Sequence, residues 1–134
     1  MADAINPSHY RSHESGIEVI NLTECFNFTL GNAIKYVLRH KGKNGREDLE
    51  KACWYIEREV ELDQINKGFI DVDLPEELNR QLHFALNKFI EAEQDPLVKK
   101  FLQVVDGICF GTLYPSDLLP PVKALIRKYD DQQA

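Results

Sequence analysis

FTLGNAIKYVLRHKGKNGREDLEKACWYIEREVELDQ, residues 28–64, is the stretch that decides the fold. Leu30, Ala33, Ile34, Val37 and Leu38 recur at i, i+3, i+4, i+7 and i+8, which is one stripe of a helix. Asn32, Lys35, Tyr36 and Arg39 fall on the opposite side at helical spacing. Thr29 is the expected N-cap, its hydroxyl suited to accept an orphan N–H of the first turn. Gly42 and Gly45 end this helix, because glycine tolerates left-handed backbone. A longer helix is expected over Glu47–Gln64, with Leu49, Ala52, Cys53, Ile56 and Val60 as its apolar stripe. Glu47, Asp48 and Glu50 place acid in its first turn, where the helix dipole favours negative charge. Two amphipathic helices joined by so short a loop make an antiparallel αα-hairpin.

On the N-terminal side, Met1–Gly16 sets Pro7 and Gly16 among polar residues and reads as irregular chain. Ile17–Phe26, apolar at 17, 19, 20, 22 and 26, reads as a short helix. On the C-terminal side the period breaks over 66–75. Apolar and acidic residues alternate at 69–74, which suits a short extended connector between two halves. Pro75 with Glu76 and Glu77 opens a helix to about Glu93, and Asp95-Pro96 opens another through Phe110, stopped by Gly111. Pro120-Pro121 leads into a last helix near Val122–Tyr129, after which DDQQA is expected to fray. The expected fold is all-α, a single structural domain. Residues 1–66 supply a helical hairpin core with an irregular N-terminal arm, and residues 67–134 add helices packed on it.

The chain has 134 residues, of which 43% are hydrophobic and 28% charged, too apolar for a disordered protein. Its net charge is −6, the wrong sign for coating duplex nucleic acid, which is therefore not an expected partner. Three cysteines, Cys25, Cys53 and Cys109, form no CxxC pair and no closed disulfide framework, which suits a reducing cytosol. The start, MADAINPSHY, lacks the apolar core of a signal peptide, and no run of ~18 apolar residues offers a membrane span. No GxxxxGK[ST], GxGxxG, HExxH or GxSxG string occurs, nor a Cys/His set of zinc spacing. His9 and His13 are four apart, but Pro7 and Gly16 argue against a helix there, so no metal site is expected. Magnesium wants converging carboxylates, and residues 29–41 carry none to face the acids of the helix after them.

Local charge stands out instead. From Phe28 to Arg46 there are five basic residues (Lys35, Arg39, Lys41, Lys43, Arg46) plus His40, and no acid. Lys35 and Arg39 lie one helical turn apart with Asn32 and Tyr36, and Lys43 extends from the following loop. Such a face offers cationic donors for phosphate oxygens, with an amide and a phenol for a sugar or base. The alternative is a solvated helix face whose cations balance the acidic helix that follows.

Four blocks occur in order: NPSHY at 6–10, SGIEVI at 15–20, FTLGNAIKYVLRHKGK at 28–43 and EDLEKACWYIERE at 47–59. This order resembles a small phage-encoded family of unknown function, whose pattern is P-x-H-Y, an acidic IE helix, GNxxKYxxR and DLxKAxxY. The family includes a podovirus nucleoside monophosphate kinase that lacks a phosphate loop. The similarity spans about residues 5–62 and leaves 67–134 outside. It implies nucleotide handling in the host cytoplasm during infection. Residue by residue it carries over Pro7, His9 and Tyr10, then Gly31, Asn32, Lys35, Tyr36 and Arg39, then Asp48, Leu49, Lys51, Ala52 and Tyr55.

On that resemblance, Lys35, Arg39 and Lys43 bind phosphates. Phosphoryl transfer needs positioning and charge neutralisation more than covalent help. His9 or Asp48 orients or deprotonates the acceptor, and Tyr10 or Tyr36 stacks on the base. Asn32, Lys51 and Tyr55 complete the ligand-binding set. The structural alternatives are that His9 and Tyr10 pin the arm, and that Asp48 pairs with Lys35 or Arg39 across the hairpin. The expected function is nucleotide binding, with nucleoside monophosphate kinase as the activity implied. Two readings from other classes stand beside it: a non-catalytic protein that sequesters a nucleotide or a host defence signal, and a protein-interaction module. The sequence names no cofactor, base or phosphoryl donor. A homo-oligomer is expected, because the matched block is small and residues 78–110 add wide apolar surface, including Phe84, Phe89, Phe101 and Phe110.

Overall fold

A computed structural model describes residues 13–42, 44–66 and 74–133. Among them the chain forms six α-helices, α1 (Val19–Thr23), α2 (Phe28–Arg39), α3 (Arg46–Asn66), α4 (Glu76–Ala92), α5 (Pro96–Cys109) and α6 (Leu119–Gln133). Short 3-10 turns at His40–Gly42 and Pro115–Leu118 link them, and no strand occurs among the described residues. The fold is all-α.

The expected stripe of α2 is the buried one: Leu30, Ala33, Ile34 and Val37 are all fully buried, against Leu49, Ala52 and Ile56 of α3 in the same cluster. Packing closes a ring around this core. The hairpin α2–α3 meets α6 through α3, α6 meets α5, α5 meets α4, and α4 returns to α2 through α1. Leu86 and Phe89 of α4, Phe101 and Leu102 of α5, and Val122 of α6 fill the centre, each nearly or fully buried. Full burial of one such side chain stabilises by about 1.5–3 kcal/mol, so the C-terminal helices supply much of the driving force.

The N-cap of α2 is Asn27, not Thr29. Asn27 Oδ1 accepts the Leu30 N–H at 2.8 Å, so the helix opens two residues earlier and takes Thr29 into its first turn. The same amide donates through Nδ2 to both oxygens of buried Glu59 on α3, at 3.1 and 3.2 Å. One side chain thus caps α2 and ties its start to the returning helix. At the other end, Gly45 alone of the expected glycine pair takes left-handed backbone, with φ +56°; Gly42 sits in the 3-10 turn.

Two further expectations change. The last helix runs from Leu119 to Gln133, because Pro120 and Pro121 occupy its first turn, where a missing N–H leaves no intrahelical bond unmade. Residues 130–133 do not fray from it: Asp130 pairs with Arg46 of α3 at 2.7 Å. The short N-terminal helix shrinks to Val19–Thr23, and the extended segment expected over 69–74 lies outside the described residues apart from Leu74. Asp95 caps α5 as the sequence suggests, accepting the Leu97 N–H at 2.9 Å with Pro96 in the first position.

Candidate functional site

The α2–α3 hairpin carries a mixed aromatic and cationic face. Tyr36 of α2 and Tyr55 of α3 stack across it, ring centres 5.9 Å apart and planes 15° from parallel. Three cations surround the Tyr36 ring: Lys35 Nζ at 4.5 Å from its centre, the Arg39 guanidinium carbon at 4.6 Å and Lys51 Nζ at 5.5 Å. A cation over an aromatic ring gains about 0.5–1 kcal/mol when exposed and about 2 when desolvated, so the tyrosine fixes where these charges stand. Around Tyr55 stand Phe28, edge-on at 6.2 Å, and Trp54, edge-on at 5.0 Å. Both tyrosines are half-buried against the core, whereas Phe28 is 77% and Trp54 61% exposed. The face therefore offers open π surface beside positive charge.

The hairpin brings Lys35, Tyr36, Arg39, Lys51 and Tyr55 together. Asn32, one turn before Tyr36, donates its amide to the Phe28 carbonyl at 2.9 Å. Asp48 is fully buried: its Oδ1 lies 3.2 Å from Arg39 Nη2, and its Oδ2 accepts the Asn44 N–H at 3.2 Å. In this arrangement its carboxylate positions Arg39, the structural alternative raised above. His9, Tyr10 and Lys43 lie outside the described residues.

The basic run of residues 28–46 does not remain one patch. Lys41 pairs with Asp95 at 3.0 Å, and Arg46 pairs with Glu50 and with Asp130. Acids from α3, from α6 and from the N-cap of α5 thus answer the cations at the loop end of the hairpin. Lys51, paired at 3.8 Å with Glu47 one turn before it, stands with Lys35 and Arg39 at the aromatic end. Charge that looks continuous along the chain is divided in space.

Sequence reasoning passed over Phe28 and Trp54. Trp54 was findable, since it falls off the apolar stripe of α3 at 49, 52, 53, 56 and 60, and a large aromatic on a polar face invites a function. Phe28 was hidden by placing the N-cap two residues late, at Thr29 instead of Asn27. Thiol chemistry is disfavoured. Burial pushes the Cys25 thiol up to about 11 and the Cys109 thiol up to about 12, and raises Cys53 too, so all three stay protonated at neutral pH.

Residues 5–57 match a protein family of unknown function, DUF3310. The match takes in α1, α2 and more than half of α3, which includes every described residue of the aromatic and cationic face, and ends before α4. No curated protein and no solved structure matches the chain. No helix among the described residues is long and apolar enough to cross a membrane.

Proposed function

We propose that the chain is a nucleotide-binding protein whose site is the Tyr36–Tyr55 face of the α2–α3 hairpin. The observation that carries this reading is the conjunction of exposed Trp54 and Phe28 with three cations held on the Tyr36 ring. Base–aromatic stacking contributes about 1–3 kcal/mol per base and tolerates any base, because each has a π face. Lys51 and Lys35 supply charge-assisted donors for phosphate oxygens. Such a ligand is anionic and aromatic at once, as the face demands.

Binding draws more support than turnover. Asp48 has both carboxylate oxygens engaged, so a kinase working at this face would take its acid–base group from elsewhere, with His9 the remaining candidate. The phage setting, the host cytoplasm as the working compartment, and self-association of the chain belong to the same proposal. Self-association draws on exposed Phe84, Phe110 and Tyr114, with Phe110 near the His83 ring at 5.7 Å. Titration with nucleoside mono- and triphosphates, followed by Trp54 emission, tests the site. Phosphate exchange between the two nucleotides supports a kinase, and saturable binding without exchange supports sequestration.

A further inference from the structure

The α2–α3 hairpin shows more open aromatic surface than one nucleotide can use. Phe28 of α2 and Trp54 of α3 are both largely exposed, and each stands edge-on to Tyr55, its plane turned 76° and 86° from that ring. One base covers one ring. We propose, resting on the nucleotide reading above, that the occupant of this face is a strand of single-stranded nucleic acid. Its bases stack on Phe28 and Trp54, and its backbone continues over the cations around Tyr36.

The shape of the face favours a strand over a free nucleotide. A site for one small molecule is usually a pocket that buries most of its ligand. The clefts of about 420 and 300 Å³ both open at His40, and neither includes Phe28, Tyr36, Trp54 or Tyr55. A lone nucleotide on the open hairpin gains one stacking contact and little enclosure. A strand gains by linkage, because each further base reaches a neighbouring ring within the same bound molecule.

Length agrees with shape. Phe28, Asn32, Tyr36 and Arg39 follow one another along one side of α2. At 1.5 Å per residue this row runs about 16 Å. A stacked strand rises only about 3.4 Å per nucleotide, so the row has room for several. Phe28 begins it, and the three cations on the Tyr36 ring, Lys35, Arg39 and Lys51, close it.

The chemistry selects single strands over duplex. Stacking on side chains needs base faces that a duplex keeps inside its helix, whereas unpaired bases splay out onto aromatic rings. Three cations are few for the electrostatic grip by which proteins coat duplex DNA, and the net charge of −6 opposes it. With so few phosphates held, ring contacts supply most of the affinity. The acid nearest Lys51 does not cancel its charge: Glu47 lies 3.8 Å away, and both side chains are exposed, a kind of pair that contributes little and can yield to a phosphate. Ring faces accept every base, so sequence preference should be slight.

The test uses the full chain and a mixed-sequence strand of about twelve nucleotides, made as DNA and as RNA, a length within the range of single-strand sites. The strand, its duplex and a nucleoside triphosphate are titrated separately, with Trp54 emission as the readout. The strand should bind at least about tenfold tighter than the triphosphate, since each further stacked base contributes roughly fivefold to a hundredfold. Its log affinity should fall with log salt at a slope near −2, about 0.7 for each of three phosphates. Phe28→Ala trims an exposed side chain and should weaken the strand about fivefold or more. A triphosphate that binds as tightly as the strand, with Lys51→Ala weakening both, would overturn the strand and leave the nucleotide reading standing. Binding of neither would overturn both. Duplex bound as tightly as single strand, or one strand affinity shared by wild type and Phe28→Ala, would also overturn the inference.

Discussion

Arg39 and Asp48 form an ion pair across the α2–α3 hairpin, Nη2 to Oδ1 3.2 Å, with side chains 5% and 0% exposed. Burial at both ends separates this pair from the others on the hairpin, where Arg46, Glu50, Lys51 and Asp130 all keep much of their surface in water. Removing one partner of a buried pair strands the other charge away from solvent, which typically costs about 3–5 kcal/mol. Asp48→Ala should therefore lower the free energy of urea unfolding by about that much. A loss below ~1 kcal/mol, the scale of exposed pairs, would show the two charges to be solvated instead. Arg39→Ala should lower stability for the same reason, so a binding defect in that variant would mix two causes.

Glu59 is buried and accepts from Asn27, and burial raises its pKa, overriding the lowering effect of that hydrogen bond. A carboxyl with a raised folded pKa contributes stability in its protonated form. That contribution is present below the unfolded value and is lost as pH rises through the folded one. At neutral pH ionised Glu59 therefore works against folding. Glu59→Gln keeps an acceptor for Asn27 without the charge, and its thermal midpoint should exceed that of wild type at pH 7. The gap should close as pH falls below about 4, where the wild-type carboxyl is neutral in both states. A lower midpoint at pH 7 would contradict this sign.

Gly31 lets α1 and α2 approach. A Cβ built there would stand 3.0 Å from the Thr23 carbonyl oxygen, a backbone atom that cannot rotate aside. Alanine is the better helix former by about 1 kcal/mol, yet overpacking against backbone costs about 1–3 kcal/mol. Gly31→Ala should be net destabilising in urea unfolding. A stabilised variant would show that α1 shifts freely.

The hairpin was legible because its information is local. The stripe at 30, 33, 34 and 37, the glycine at 45 and the acids at 47 and 48 each act within a few residues. The starts of α4 and α5 were legible for the same reason, with Pro75, Asp95 and Pro96 marking them. Pairings across long separations were not. Nothing near Lys41 announces Asp95, nothing near Arg46 announces Asp130, and nothing near His13 announces Glu93, 80 residues away. The basic run consequently looked like one patch, and His13 was weighed only against its neighbour His9. Tyr36, Lys51 and Tyr55 meet because they lie on facing sides of two antiparallel helices.

Self-association has a direct reading. Phe84, Phe110 and Tyr114 are 61%, 66% and 70% exposed, large apolar surface for a chain of this size. Light scattering coupled to gel filtration at micromolar concentration should return a mass above that of one chain. Phe84→Ser with Phe110→Ser should reduce it to one chain, with helical content unchanged. A single-chain mass for wild type would end the oligomer reading.

Trp54, the single tryptophan, stands at the proposed nucleotide site and reports on it without a label. The decisive measurement is a titration of the full chain with nucleoside mono- and triphosphates, followed by Trp54 emission in wild type and Lys51→Ala. Stacking on the aromatic face should quench the emission saturably. Loss of a charge-assisted contact at Lys51 should weaken binding by ~1.5–3 kcal/mol, roughly tenfold to a hundredfold, with the unfolding midpoint little changed. Unaltered emission with no heat of binding at millimolar nucleotide, or one affinity shared by wild type and Lys51→Ala, would contradict a nucleotide site on this face.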